Sequence, residues 1–158
     1  MRRITHLLIG MAAGVLVAYY TGRFDYRLPL SGAFFGILPD FDIFLAKLGI
    51  AEHRGAYSHS LGSSIVLSGT VFCGLYFGAG WERGLVFWLS AVVFLATLLH
   101  TVTDCLTYAG AKLFYPLSGR KLKGGLKYDD WLVNGLLILL CVLLIAYFGQ
   151  GFAAKYIT

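Results

Sequence analysis

"GLVFWLSAVVFLATLLHTVTDCL" (residues 84–106) runs from Gly84 to Thr103 without a formal charge and only then presents an aspartate. A transmembrane helix needs about 17–25 predominantly apolar residues. A helix at the surface of a water-soluble core would instead carry polar residues along one face. This stretch has no such face, so it reads as a membrane span. Three others read the same way: the stretch between His6 and Arg23, that from Leu61 to Trp81, and that from Trp131 to Ala154. Composition agrees, with 58% hydrophobic and 13% charged residues, against roughly 25% charged in soluble domains. The mean hydropathy is +0.74.

The length suits a single integral membrane domain, residues 1–158. Met1-Arg2-Arg3 followed by an apolar stretch has the form of a signal peptide, but the stretch continues into Tyr19-Tyr20-Thr21 without a small-residue cleavage site. It is expected to be a retained helix. "LPLSGAFFGILPDFDIF" (residues 28–44) is also apolar, yet Pro29, Gly32, Gly36 and Pro39 interrupt it. Proline removes a backbone donor, and irregular backbone at membrane depth is tolerated only inside protein or along a wet cavity. The expected fold is therefore all-α: a polytopic membrane helical bundle of four long transmembrane helices plus one short or broken helix around residues 29–39.

If the broken segment crosses back, the N-terminus and the loops 40–60 and 105–130 fall on one side. That side holds Arg2, Arg3, Lys47, Arg54, Lys112, Arg120, Lys121, Lys123 and Lys127, against Arg23, Arg27, Arg83 and Lys155 on the other. The positive-inside bias makes the first side cytoplasmic, in the inner membrane of a prokaryote. Gly10 with Gly14, Gly32 with Gly36, and Gly74 with Gly78 are spaced for close helix approach, and packing within the bundle is expected of all three pairs. Cys73, Cys105 and Cys141 lie in apolar runs, without the spacing of a disulfide framework or thiolate metal site. They read as packing residues. The net charge of +5 points to anionic lipid headgroups rather than nucleic acid. Oligomeric state is left open.

His100 and Asp104, four apart on a helix, share a face. Ionisable residues in a span face the bundle interior or a wet cavity, and by default suggest function. All four histidines, His6, His53, His59 and His100, map to the same side, as do Asp40, Asp42 and Asp104. Imidazole and carboxylate together suit Zn²⁺, with Mn²⁺ or Fe²⁺ also compatible. So many donors exceed the need of one structural zinc. They fit either a binuclear centre or one ion whose ligands are oriented by further carboxylates. The expected metal set is His6, Asp40, Asp42, His53, His59, His100 and Asp104, with the choice within Asp40/Asp42 and within His53/His59 open. Arg54 could clamp a phosphate, and Asp42 or Asp40, where not a ligand, would orient the attacking water or accept its proton. Ser60 reads as a helix N-cap, and Asp129 and Asp130 suit the N-terminus of the last span. Tyr108 could reach a substrate, although aromatic residues at the interface are expected anyway.

The segments "THLLIG" (5–10), "LPDFD" (38–42), "HRGAYSHS" (53–60) and "HTVTDCLTYAGAKLFYP" (100–116) resemble, in the same order, the YdjM/YbcI-like inner-membrane metal-dependent hydrolases. The resemblance implies a multi-spanning hydrolase. A more distant similarity links the donor pattern to zinc-dependent phospholipase C. It places His100, Asp104 and His6 as ligands, together with Asp40 or Asp42 and His53 or His59. The expected function is hydrolysis of a phosphoester in a phospholipid or other lipid-phosphate substrate by metal-activated water. The rival expectations are an ion or proton transporter, whose polar residues would continue through the bundle, and a non-catalytic membrane protein with a structural metal.

Overall fold

The computed structural model describes residues 1–49 and 55–157. Its elements are helices: α1 (Arg3–Thr21), α2 (Arg27–Ile37), a 3₁₀ turn (Leu38–Phe41), α3 (Asp42–Lys47), α4 (Leu61–Cys73, continued by a π-helical turn Gly74–Gly78), α5 (Arg83–Cys105), α6 (Trp131–Phe148) and α7 (Gln150–Ile157). Among the described residues, four helical stretches are long and apolar enough to cross a membrane: Arg3–Thr21, Leu61–Gly78, Arg83–Cys105 and Trp131–Phe152. The short helix is α2, which ends where Pro39 enters the following 3₁₀ turn. The all-α polytopic bundle expected from the sequence is the observed architecture.

The central element is α5, whose Val86, Leu89, Val92, Val93 and Ala96 are buried against α1, α2 and α4. Helix α1 is built into the bundle between α2, α5 and α6. It meets α2 through glycine: a Cβ on Gly10 would collide with the Gly32 carbonyl, and one on Gly14 with the Leu28 carbonyl. Gly36 passes equally close to the His6 carbonyl. Only hydrogen at these positions lets the two backbones approach so closely. The third glycine pair departs from expectation. Gly74 and Gly78 have open space where a side chain would go, because the π-helical turn that carries them has no buried residue. Cys141 is buried, Cys105 partly so and Cys73 exposed, so the packing role expected of the cysteines does not extend to Cys73.

Buried Asn134 fastens α6 to α1. Its Oδ1 accepts from Thr5 Oγ1 at 2.7 Å and from the Arg2 amide at 3.0 Å, while its Nδ2 donates to the Asp130 carbonyl at 2.7 Å. Both expected caps form. Ser60 Oγ accepts from the Ser63 amide in a capping box, and Asp130 accepts from the Leu132 and Val133 amides. The loop after α5 folds back through the pairs Tyr108–Leu126 and Ala111–Leu122, and it holds the start of α4 through the Leu113 and Tyr115 carbonyls.

At the opposite end of α5, Glu82 caps the helix through the Gly84 and Leu85 amides and pairs with Arg23 at 2.9 Å. The Arg23 hydrogen bond is the main influence holding its carboxyl below the usual range. A lowered pKa means that the pair stabilises the fold above the ordinary glutamate value and ceases to do so as pH falls through the folded value. Thermal unfolding in detergent should therefore separate wild type from Glu82→Gln at neutral pH. The gap should close below about pH 4.3, the ordinary glutamate value, and should shrink with added salt because the pair is exposed. A gap that persists in acid would assign the effect to helix capping alone.

Candidate metal centre

Five termini converge at one end of the bundle: the start of α1, the end of α2 with its 3₁₀ turn, the starts of α4 and α6, and the end of α5. The 3₁₀ turn carries Asp40, the approach to α4 carries His59, and the last turn of α5 carries His100 and Asp104. Each is buried, and a donor atom from each lies within 4.8 Å of the others. His59 Nε2 is 3.0 Å from His100 Nε2 and 3.6 Å from Asp104 Oδ2. His100 Nε2 is 3.7 Å from Asp40 Oδ1 and 3.8 Å from Asp104 Oδ2. Zn–N bonds of about 2.0–2.1 Å in a tetrahedron put neighbouring donors roughly 3.3 Å apart. The observed distances scatter about that value.

The tautomers follow from the outer partners. His100 Nδ1 is 2.7 Å from the Gly36 carbonyl oxygen. A carbonyl can only accept, so the ring proton sits on Nδ1 and Nε2 presents a lone pair. On the other ring, Ser58 Oγ donates to Asp42 Oδ2 at 2.7 Å, while His59 Nδ1 lies 2.8 Å from Ser58 Oγ and 3.3 Å from Asp42 Oδ2. Having spent its hydrogen on Asp42, Ser58 accepts from His59, whose Nε2 is again a lone pair. Two lone pairs 3.0 Å apart repel unless a cation lies between them. Binding metal through one ring nitrogen while the other donates to carbonyl or carboxylate is the usual arrangement of metal-site histidines. The cluster of two histidines and two aspartates is thus a group able to coordinate a divalent metal.

Of the other expected site residues, His6 is buried beside the cluster. Its ring stacks on His100 at 3.8 Å between centroids. Its Nε2 lies 3.3 Å from Asp104 Oδ1 and makes no well-directed hydrogen bond among the described residues. Asp42 is brought to Nδ1 of His59, on the outer side of that ring. His53 and Arg54 lie outside the described residues. The Met1 amino nitrogen reaches Asp104 Oδ1 at 2.7 Å. Asp129 and Tyr108 are exposed. Arg2 and Arg3 line a cavity of about 570 Å³ together with Asp40 and Tyr128. The sequence reading missed Ser58 and the Gly36 carbonyl. Ser58 had a legible signal, since it sits beside His59, whereas a carbonyl has none.

Residues 1–157 match the family described as YdjM inner membrane protein. The chain belongs to this family. No curated protein and no solved structure matches it. Membership of the YdjM family agrees with the multi-pass bundle and places the protein in the inner membrane. The buried Asp/His/His/Asp cluster falls within the matched residues.

An outer partner costs about 10–100-fold in metal affinity when it is removed, and a ligand costs more. Asp42→Asn should accordingly retain metal at saturation but bind it about 10–100-fold more weakly, as read by competition with a chelating dye. Loss of all binding would make Asp42 a ligand instead.

Proposed function

We propose that this YdjM-family protein is a membrane-embedded, metal-dependent hydrolase acting on a phosphoester of a lipid-like substrate. The observation that carries this reading is the meeting of the His59 and His100 lone pairs at 3.0 Å, beside two buried carboxylates. Asp40, His59, His100 and Asp104 hold the ion, with Zn²⁺ the first choice and Mn²⁺ or Fe²⁺ compatible with the same donors. A divalent cation in such a site supplies Lewis-acid polarisation of a phosphoryl oxygen and acidification of water. Four protein donors leave room for substrate when the ion takes five or six ligands. His6, against both His100 and Asp104, is the donor nearest to a second ion.

The chain's own groups supply the remainder. Ser58, Asp42 and the Gly36 carbonyl fix the two imidazoles. Asp42, which also lines a cavity, accepts the proton released in hydrolysis. Arg2 and Arg3 give the approach to Asp40 a cationic surface suited to phosphate, and Arg54 is the further cation of this reading. The cation-rich end of the bundle is assigned to the cytoplasm on the positive-inside bias.

The transport reading needs polar groups that continue through the bundle. The hydroxyls of Ser68, Thr70, Thr97 and Thr101 are instead spent on helix carbonyls, of Ser90, Val66, Val93 and Thr97 respectively. The test is metal removal. Gently extracted protein should carry about one metal or more per chain, the count expected for an intact four-donor site. It should release phosphate from a long-chain lipid phosphate, lose that activity to a chelator while remaining folded, and regain it with Zn²⁺, Mn²⁺ or Fe²⁺. Protein that unfolds on chelation and is inactive when loaded would have a structural metal instead.

A further inference from the structure

We infer that the groove between the 3₁₀ turn, α3 and α4 is the binding site for the apolar chain of the substrate, so that the substrate is a phosphate-bearing membrane lipid and not a water-soluble ester. This rests on the hydrolase reading above. The groove has a volume of about 710 Å³ and is lined by Phe41, Phe44, Val66 and Thr70, with Asp42 and Ser58 at one end. Ligand clefts span about 300–1,000 Å³.

Three observations commit the groove to this occupant. Its polar end is continuous with the metal centre, because Asp42 and Ser58 are the groups that hold His59. It descends along a membrane-spanning helix: from Ser63 to Thr70 the wall runs about 10 Å at 1.5 Å per residue. Its deeper wall is also chemically apolar where the sequence shows hydroxyls. Thr70 donates to the Val66 carbonyl at 2.9 Å and Thr97 to the Val93 carbonyl at 2.8 Å, so both can turn methyl groups to the groove. A chain lying here places its phosphate at Asp42 and Ser58, beside the cluster. A second apolar groove of the same volume, between α1, α5 and α6, includes Leu137 and Leu140 and has no histidine or aspartate in its lining. It serves as the internal control.

The test uses the full chain in detergent with dioleoyl phosphatidic acid carrying a mid-chain photoreactive diazirine, and adducts mapped by mass spectrometry. Labelling should concentrate on residues 41–44 and 66–70. Unlabelled phosphatidic acid should suppress it, whereas dioleoylglycerol, which lacks the phosphate, should not. Val66→Trp, a change at an exposed position, should cut labelling about tenfold or more, in line with pocket discrimination energies, and leave labelling of the Leu137–Leu140 groove unchanged. Equal labelling of both grooves, or equal competition by dioleoylglycerol, would overturn the inference and make the groove ordinary lipid-facing surface. Labelling needs no turnover. A groove that labels selectively in protein releasing no phosphate upholds this inference while the hydrolase reading falls; phosphate release with evenly spread labelling does the reverse.

Discussion

Alanine in place of His100 removes the bound divalent metal and the metal-dependent hydrolysis with it. The ring sits at the middle of the donor set: its Nε2 lies within 3.0–3.8 Å of His59, Asp40 and Asp104. Its Nδ1 proton is committed to the Gly36 carbonyl, so no rotamer change of a neighbour replaces it. The loss in metal affinity should exceed about 100-fold, the upper figure for removing an outer partner alone. Elemental analysis after desalting and competition with a chelating dye read the affinity, while phosphate release reads the activity. The bundle itself should survive, because the packing of α5 is made by Val86, Leu89, Val92, Val93 and Ala96. Circular dichroism and gel filtration like wild type are therefore part of the expected result. Wild-type metal content in this variant would remove His100 from the site.

The bundle was legible because bilayer thickness imposes length on apolar runs. Every span left its mark in the letters, and the breaks at Pro29 and Pro39 bounded the short helix. His100 and Asp104 were legible for a related reason, since a spacing of four puts two side chains on one helical face. Asp40 and Asp42 could not be separated. They straddle a 3₁₀ turn and the first residue of α3. At 3.0 residues per turn, two positions differ in direction by about 120°. One carboxylate therefore turns to the cluster and the other to the far side of His59. Nothing in "LPDFD" announces the 3₁₀ turn that decides which is which. The Gly36 carbonyl was illegible in principle, because every residue has one and only the fold selects which of them meets an imidazole. The glycine pairs show the same limit: Gly10, Gly14, Gly32 and Gly36 find each other across α1 and α2, whereas Gly74 and Gly78, equally spaced, find nothing.

Valine in place of Gly32 should be the most damaging change outside the cluster. Its Cβ would collide with the Gly10 carbonyl and lie 3.2 Å from Val92 Cγ1. A flexible side chain can move aside, but a helix carbonyl cannot without parting the helices. The expected cost is about 3 kcal/mol or more, the upper end for overpacking, read as a lower melting temperature in detergent. The damage should also reach the metal. Gly36 lies one turn along α2 and its carbonyl orients His100 at 2.7 Å, so parting α1 from α2 loosens that hydrogen bond and the His6–His100 stack together. Metal affinity should accordingly fall in the fraction that still folds. Gly69→Val is the matched control, the same change at an α4 position with nothing within 4 Å of the added atom. It should leave both melting and metal content near wild type. A Gly32→Val protein that melts like wild type would mean that the α1–α2 contact is looser than the glycine geometry requires. Lowered stability with unchanged metal affinity would instead show that the cluster is held by α4 and α5 without help from α2.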